Sequence, residues 1–285
     1  MIPAAFEYIR PSSLDEAVRA LAGGGDDAKV IAGGQSLLPL LRLRLAYPDL
    51  LVDLGHLDGL RGVRDEGDTL WIGALTTHAE VIRDPVIREH CGLLSEATGT
   101  VADPAVRHRG TLGGSLAHAD PAGDLPAVAV ALGATMIARG PGGDREIGAA
   151  DFFVDYLTTA LAPGEILTGV RVPKLGPAWG YRYETFHRTA QKWATVGVAA
   201  TARRSNGQAA ETRIGLTNMG PVPVRAWAAE DAVAGAEADR SALRAAAAHT
   251  NEDTQPLADL HGAPDYQRHL ARVLTARALA VAAGA

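Results

Sequence analysis

Apolar positions recur three and four residues apart at Leu14, Ala17, Val18 and Leu21, which places them on one helical face. Ser13 and Glu16 stand at capping-box spacing ahead of this run, and Gly23 to Gly25 end it. Short β-branched and aliphatic runs at residues 29–32 and 50–54 predict strands. Between them, residues 33–45 carry a glycine turn and an apolar segment that opens a helix. Residues 61–74 predict a hairpin turning at Glu66-Gly67-Asp68, and Thr77 with Glu80 repeats the capping-box spacing before a mostly helical stretch, 79–102. A helix over 125–132 and strands over 134–138 and 166–172 follow, and 173–177 (PKLGP) reads as a linker. Alternating positions then predict strands at 181–186, 195–203 and 210–217, the last two joined by a turn at Ser205-Asn206-Gly207. Beyond Pro223 the chain becomes alanine-rich and helical, with Leu270, Val273 and Leu274 on one side of the final helix.

These elements divide the chain into three blocks, residues 1–55, 56–175 and 177–285, in an α+β arrangement without a repeat of fixed period. Composition narrows the picture further. At 285 residues and 47% hydrophobic, the chain has material for more than one core. Its 27 basic and 33 acidic side chains leave a formal charge of −6 with no basic block, which argues against a nucleic-acid partner. A single cysteine, Cys91, cannot form an internal disulfide or a cysteine metal cage, and with the C-terminal helices it is assigned to packing or subunit contact. The amino terminus shows no export signal and no long apolar run predicts a membrane span, so the expected compartment is the cytoplasm.

Candidate chemistry concentrates in two glycine-rich stretches. Residues 30–41 read VIAGGQSLLPLL, and residues 109–126 read RGTLGGSLAHADPAGDLP. Gly33, Gly34, Gly113 and Gly114 can be turn or close-packing residues. They can also let successive backbone N–H groups form anion-binding nests, with hydroxyls from Ser36, Thr111 and Ser115 beside them. Neither G-x-G-x-x-G nor G-x-x-x-x-G-K-[ST] occurs, so a nucleotide here needs another architecture.

These two stretches, with Ile72-Gly73-Ala74-Leu75-Thr76 between them, resemble the FAD-binding medium subunit of molybdenum hydroxylases, the carbon monoxide dehydrogenase and xanthine dehydrogenase relatives. The resemblance extends from FEYIRPSSLDEAV (6–18) to YQRHLARVLTARAL (266–279). It implies a vanillyl-alcohol-oxidase-like (PCMH-type) FAD-binding fold of two α/β subdomains, followed by a C-terminal domain with a small antiparallel sheet and helices.

The same resemblance implies that Ala32, Gly33, Gly34, Gln35 and Ser36 contact the FAD diphosphate, as do Thr111, Gly113, Gly114 and Ser115. Leu37 and Leu167 are further implied contacts, and His118 is implied to lie near the flavin. Relatives commonly carry histidine at the position of Gln35 and asparagine at that of Ser115, changes that keep hydrogen-bonding ability. Asp124 matches the acidic residue that binds the ribityl chain, with an N-cap of the following helix as its alternative role. Trp193 matches the residue against the isoalloxazine, with a core tryptophan as the alternative. Lys192 departs from the aspartate common in relatives. Carried over whole, the resemblance implies a noncovalent FAD. It also implies a large molybdopterin subunit and a small [2Fe-2S] subunit as partners, in a dimer of heterotrimers, with electrons passing through FAD to an external acceptor. A stand-alone flavin oxidase or reductase and a flavin-free scaffold are the competing readings.

Overall fold

The computed structural model describes residues 2–189, 191–258 and 262–285. Its first part is a parallel sheet of β1 (Glu7–Ile9), β2 (Ala28–Ile31) and β3 (Leu50–Asp53), ordered β1-β3-β2, with α1 (Leu14–Gly24) and α2 (Leu37–Leu43) in the connections. The α1 entry forms half of the expected capping box. Ser13 Oγ accepts from Glu16 N–H, but the Glu16 carboxylate turns back to the N–H and hydroxyl of Ser12. Ala17, Val18 and Leu21 of α1 pack with Ala28 and Val52 in a small core.

The second part holds a five-stranded antiparallel sheet. Its strands are β4 (Val63–Asp65), β5 (Thr69–Gly73), β6 (Thr135–Gly140), β7 (Gly143–Gly148) and, last in sequence, β10 (Ile166–Pro173), in the order β4-β5-β10-β6-β7. The expected hairpin is β4–β5. The mostly helical stretch expected over 79–102 consists of three helices, α3 (His78–Arg83), α4 (Pro85–His90) and α5 (Gly92–Thr100). Asp84, extended as the residue before a proline, caps α4 with its carboxylate, and Cys91 breaks the chain again before Gly92. The Thr77–Glu80 box is complete.

A short α6 (Pro104–Arg107) leads into the second glycine stretch, part of which is helical as α7 (Leu112–His118). Thr111 Oγ1 caps it by accepting from Gly114 N–H, and Ala119 ends it in a left-handed conformation. Then come α8 (Asp124–Leu132), α9 (Ala149–Phe152) and a small ribbon of β8 (Phe153–Asp155) and β9 (Thr158–Thr159). Every residue of α8 is buried, which explains its lack of polar periodicity.

The third part is an antiparallel sheet of β11 (Trp179–Phe186), β12 (Val196–Ser205), β13 (Gln208–Thr217) and β14 (Val224–Arg225), covered by α10 (Trp227–Val233), α11 (Arg240–Ala247) and α12 (Pro264–Ala283). Asn206 and Gly207 both have positive φ in the β12–β13 turn, as its I′ geometry requires. Leu270 and Leu274 enter the core beneath α12, whereas Val273 is half-buried because the inward stripe runs through Ala271, Thr275 and Ala278. Cys91 is fully buried, and burial pushes its thiol up to about 12, which fits packing. Among the described residues, no helix is long and apolar enough to cross a membrane.

Candidate functional site

All fifteen residues expected to contact a cofactor line one cleft of about 720 Å³, a size typical of a small-molecule site. All three parts of the chain contribute: the β2–α2 turn, the first turn of α7 with the start of α8, Leu167 on β10, and the segment before β12 that carries Lys192 and Trp193.

The two glycine stretches meet back to back. A Cβ added to Gly33 would overlap the carbonyl oxygen of Arg109 and stand 2.9 Å from Gly110 Cα. Gly34 has φ +73°, a conformation that favours glycine, and turns the chain into α2. Gln35 folds inward so that its amide donates to the Gly33 carbonyl at 3.1 Å. Among the described residues, no protein group accepts from the backbone N–H of Gly34, Gln35, Ser36 or Leu37. Ser36, at the N-cap of α2, makes no side-chain cap. The first stretch therefore presents a row of unengaged donors to the cleft beside the wall residue Ala32.

The second stretch uses its backbone differently. Its chain runs antiparallel to residues 74–78, so Leu112 N–H donates to Thr76 O and Gly113 N–H to Ala74 O at 2.8 Å. Gly114 N–H donates to Thr111 Oγ1, and Ser115 N–H to Thr111 O. The backbone N–H groups of residues 112–115 are all engaged within the protein. Gly113 is needed for close packing, since an added Cβ would overlap Ala74. What this stretch offers the cleft is hydroxyl: Ser115, and Thr111 beside it.

Asp124 is the first residue of α8, and Gly123 occupies the N-cap without a side-chain bond, so Asp124 does not cap. Its Oδ1 accepts instead from Tyr183 Oη at 2.5 Å. Burial pushes this carboxyl up to about 6, against the lowering effects of the Tyr183 hydrogen bond and of His187 nearby. His118 stands half-buried with Nε2 4.0 Å from Asp120 Oδ2. Trp193 is 54% exposed at the cleft, so it is no core residue, and Lys192 is exposed beside it.

Sequence reasoning did not single out Tyr183, Asn218 or His78. Tyr183 belongs to β11, yet it is buried in the core that the five-stranded sheet and α8 share, and its hydroxyl fits because a Cβ at Gly197 on the neighbouring strand would overlap it. Asn218, with φ +60°, donates from Nδ2 to the carbonyls of Ala194 and Thr195, while its own N–H donates to Pro121 O. It thus ties the Trp193 segment to the loop before α8. No local pattern marks either role, because each partner is remote in sequence. His78 was signalled only indirectly, by the capping box that starts α3 at that residue. Among the described residues, no group of three or more His, Cys, Asp or Glu is placed to hold a metal ion.

Comparison with known proteins agrees with this geometry. Residues 4–175 match the FAD binding domain in molybdopterin dehydrogenase, and residues 181–282 match the CO dehydrogenase flavoprotein C-terminal domain. The chain is 39% identical to the carbon monoxide dehydrogenase medium chain of Hydrogenophaga pseudoflava, over 98% of this chain and 97% of that one. It is 37% identical to the 6-hydroxypseudooxynicotine dehydrogenase complex subunit alpha of Paenarthrobacter nicotinovorans, over 99% and 96%. Its fold superposes on the solved carbon monoxide dehydrogenase from Hydrogenophaga pseudoflava with a TM-score of 0.96 and 42% identity, covering 99% of this chain and 98% of the other. The chain belongs to the FAD-binding medium-subunit family of molybdopterin dehydrogenases and is an FAD-containing oxidoreductase subunit.

Proposed function

We propose that this chain is the electron-transfer subunit of a molybdenum-containing dehydrogenase, taking electrons from the [2Fe-2S] clusters of a small partner subunit and passing them to an external acceptor. The observation that carries this reading is the single cleft in which both glycine stretches, a buried carboxylate and an exposed indole converge. FAD fits the residues present. The unengaged N–H groups of Gly34 to Leu37 suit a diphosphate, and the Ser115 and Thr111 hydroxyls suit its far side. Asp124, an acceptor when ionised, suits ribityl hydroxyls, and Trp193 offers a flat apolar face for a ring system. Bound FAD supplies the redox chemistry, and the protein's residues bind it, orient it and tune its surroundings. No nucleophile or acid–base pair is required of the chain itself.

Substrate oxidation then belongs to a large molybdopterin subunit, in a cytoplasmic dimer of heterotrimers. The proposed units 1–55, 56–175 and 177–285 each contribute a wall to the cleft, so a truncation near Pro177 removes Lys192 and Trp193 and impairs assembly. Tagged chain co-expressed with its genomic neighbours should pull down an iron-sulfur chain and a larger molybdenum chain, and should carry a flavin spectrum released intact on denaturation. A flavoprotein that purifies alone and turns over a substrate would establish the stand-alone oxidase instead.

Lys192 gives a second test. Its exposed ammonium stands at the rim beside Trp193, where solvent screens it. Lys192→Gln should lower the FAD reduction potential by on the order of 10 to 40 mV, and Lys192→Asp should lower it further. Potentiometry at matched salt checks this; unchanged potentials with FAD retained would assign the lysine to solvent or to a partner surface.

A further inference from the structure

Behind the second glycine stretch lies a histidine that the cofactor contacts read from sequence do not include. His78, at the start of α3, is 2% exposed and lies along the cleft. Its Nε2 is 3.1 Å from the Thr111 carbonyl oxygen and 3.2 Å from Ser115 Oγ, while its Nδ1 is buried without a partner. The imidazole packs closely against Gly110, where an added Cβ would stand 3.3 Å from Cε1 and 3.4 Å from Nδ1. Burial lowers this histidine to about 4, so it is neutral and carries one proton near pH 7.

The carbonyl decides where that proton sits. A bare Nε2 would set its lone pair against the lone pairs of Thr111 O and leave a buried N–H on Nδ1 with no acceptor, which is unfavourable on both counts. Nε2–H therefore donates, shared between Thr111 O and Ser115 Oγ. Once Ser115 Oγ accepts, its own proton must point away from the imidazole. Among the described residues no protein group takes it, and the remaining open direction is the cleft.

We propose that His78 is a positioning residue: its Nε2–H holds Thr111 O and Ser115 Oγ from behind and fixes the Ser115 hydroxyl as a donor aimed at the cofactor's diphosphate. The inference rests on the FAD reading above and explains how a serine serves at this position. An asparagine amide carries separate donor and acceptor ends, whereas a serine hydroxyl can turn either way. Left alone in the first turn of α7, Ser115 can bond back to the carbonyl four residues earlier, which is Thr111 O. His78 occupies that carbonyl and removes the alternative. The polarity matters because the backbone donors of residues 112–115 are all engaged.

Two measurements separate the inference from the reading beneath it. In the FAD-free full-length protein labelled with 15N-histidine, His78 should show a protonated Nε2 and a bare Nδ1, and should stay neutral down to about pH 5; a protonated Nδ1 would overturn the proposal whether or not FAD binds. FAD titration then tests the coupling. Ser115→Ala should weaken binding by about tenfold, as expected for a hydrogen bond to a charged group. His78→Leu should weaken it several-fold, and His78→Gln, whose amide nitrogen can replace Nε2–H, should recover most of the loss. The double variant His78→Leu/Ser115→Ala should bind no more weakly than Ser115→Ala alone. If the two losses multiply, His78 acts on the fold and not through Ser115, and the proposal fails. Should the leucine variant not fold, the glutamine variant and the tautomer of the parent protein still decide. A parent chain that binds no FAD would defeat the functional reading while leaving the tautomer result standing.

Discussion

Gly33→Ala is expected to abolish measurable FAD binding and to lower the stability of the apoprotein by about 2 kcal/mol or more, the range for forcing a methyl into filled space. The new Cβ would overlap the Arg109 carbonyl oxygen and crowd Gly110 Cα, both backbone atoms that no side-chain rotation can move aside. The collision therefore wedges the first glycine stretch away from the second. Since the donors of Gly34 to Leu37 and the hydroxyl of Ser115 must face one ligand, separating them removes affinity even where the chain still folds. Gly23→Ala is the matched control. It lies in α1 with nothing within 4 Å of the added methyl, so it should stabilise by roughly 0.5 to 1 kcal/mol through helix propensity and leave FAD binding unchanged. Thermal melts and FAD titration of both variants check the pair. Tight FAD binding by Gly33→Ala would show that the two stretches do not act as one site.

The contrast between the two glycine stretches shows what a sequence can carry. Both read alike because glycine, hydroxyl and apolar run follow in the same order, and the residues that line the cleft could be picked out on that basis. Their backbone states could not. Whether Gly113 N–H is free depends on Ala74 O, which arrives from a segment almost 40 positions earlier and is set by sheet geometry. The strands of the third part were legible because alternation is local and the Asn206-Gly207 turn declares itself. By contrast, β7 was missed: only Ile147 of Gly143–Gly148 is buried, as befits an edge strand with one neighbour. Helix breaks at Asp84 and Cys91 went unread because apolar residues continue through both, although Pro85 was a local signal for the first. Asp124 illustrates the remaining gap. Its position before an apolar helix suggested a cap, and only the remote Tyr183 reveals a buried hydrogen-bonded carboxyl.

That carboxyl sets stability against function. In the unfolded chain Asp124 ionises near its ordinary 3.8, whereas burial raises it to about 6 in the fold. Its favourable contribution to folding is therefore complete below about pH 4, declines as pH rises, and is lost above about 6; holding it ionised at pH 8 costs at most about 3 kcal/mol. The groups facing it are Tyr183, which donates to it, Thr217 within 3.5 Å of the Tyr183 hydroxyl, Thr100, and His187. Asn at this position keeps an oxygen for Tyr183 Oη and removes the buried charge. Asp124→Asn should consequently raise the apoprotein melting temperature at pH 8 by several degrees, at roughly 2 °C per kcal/mol for a chain of this size, and give no gain at pH 4. The same variant should bind FAD at pH 8 at least tenfold more weakly, because a charged acceptor for ribityl hydroxyls becomes a neutral one that also presents donors. Melts across pH 4 to 8 with parallel FAD titrations decide both halves. A variant that melts like the parent at every pH would place Asp124 in contact with solvent, and one that gains stability yet keeps full affinity would remove the carboxylate from the cofactor site.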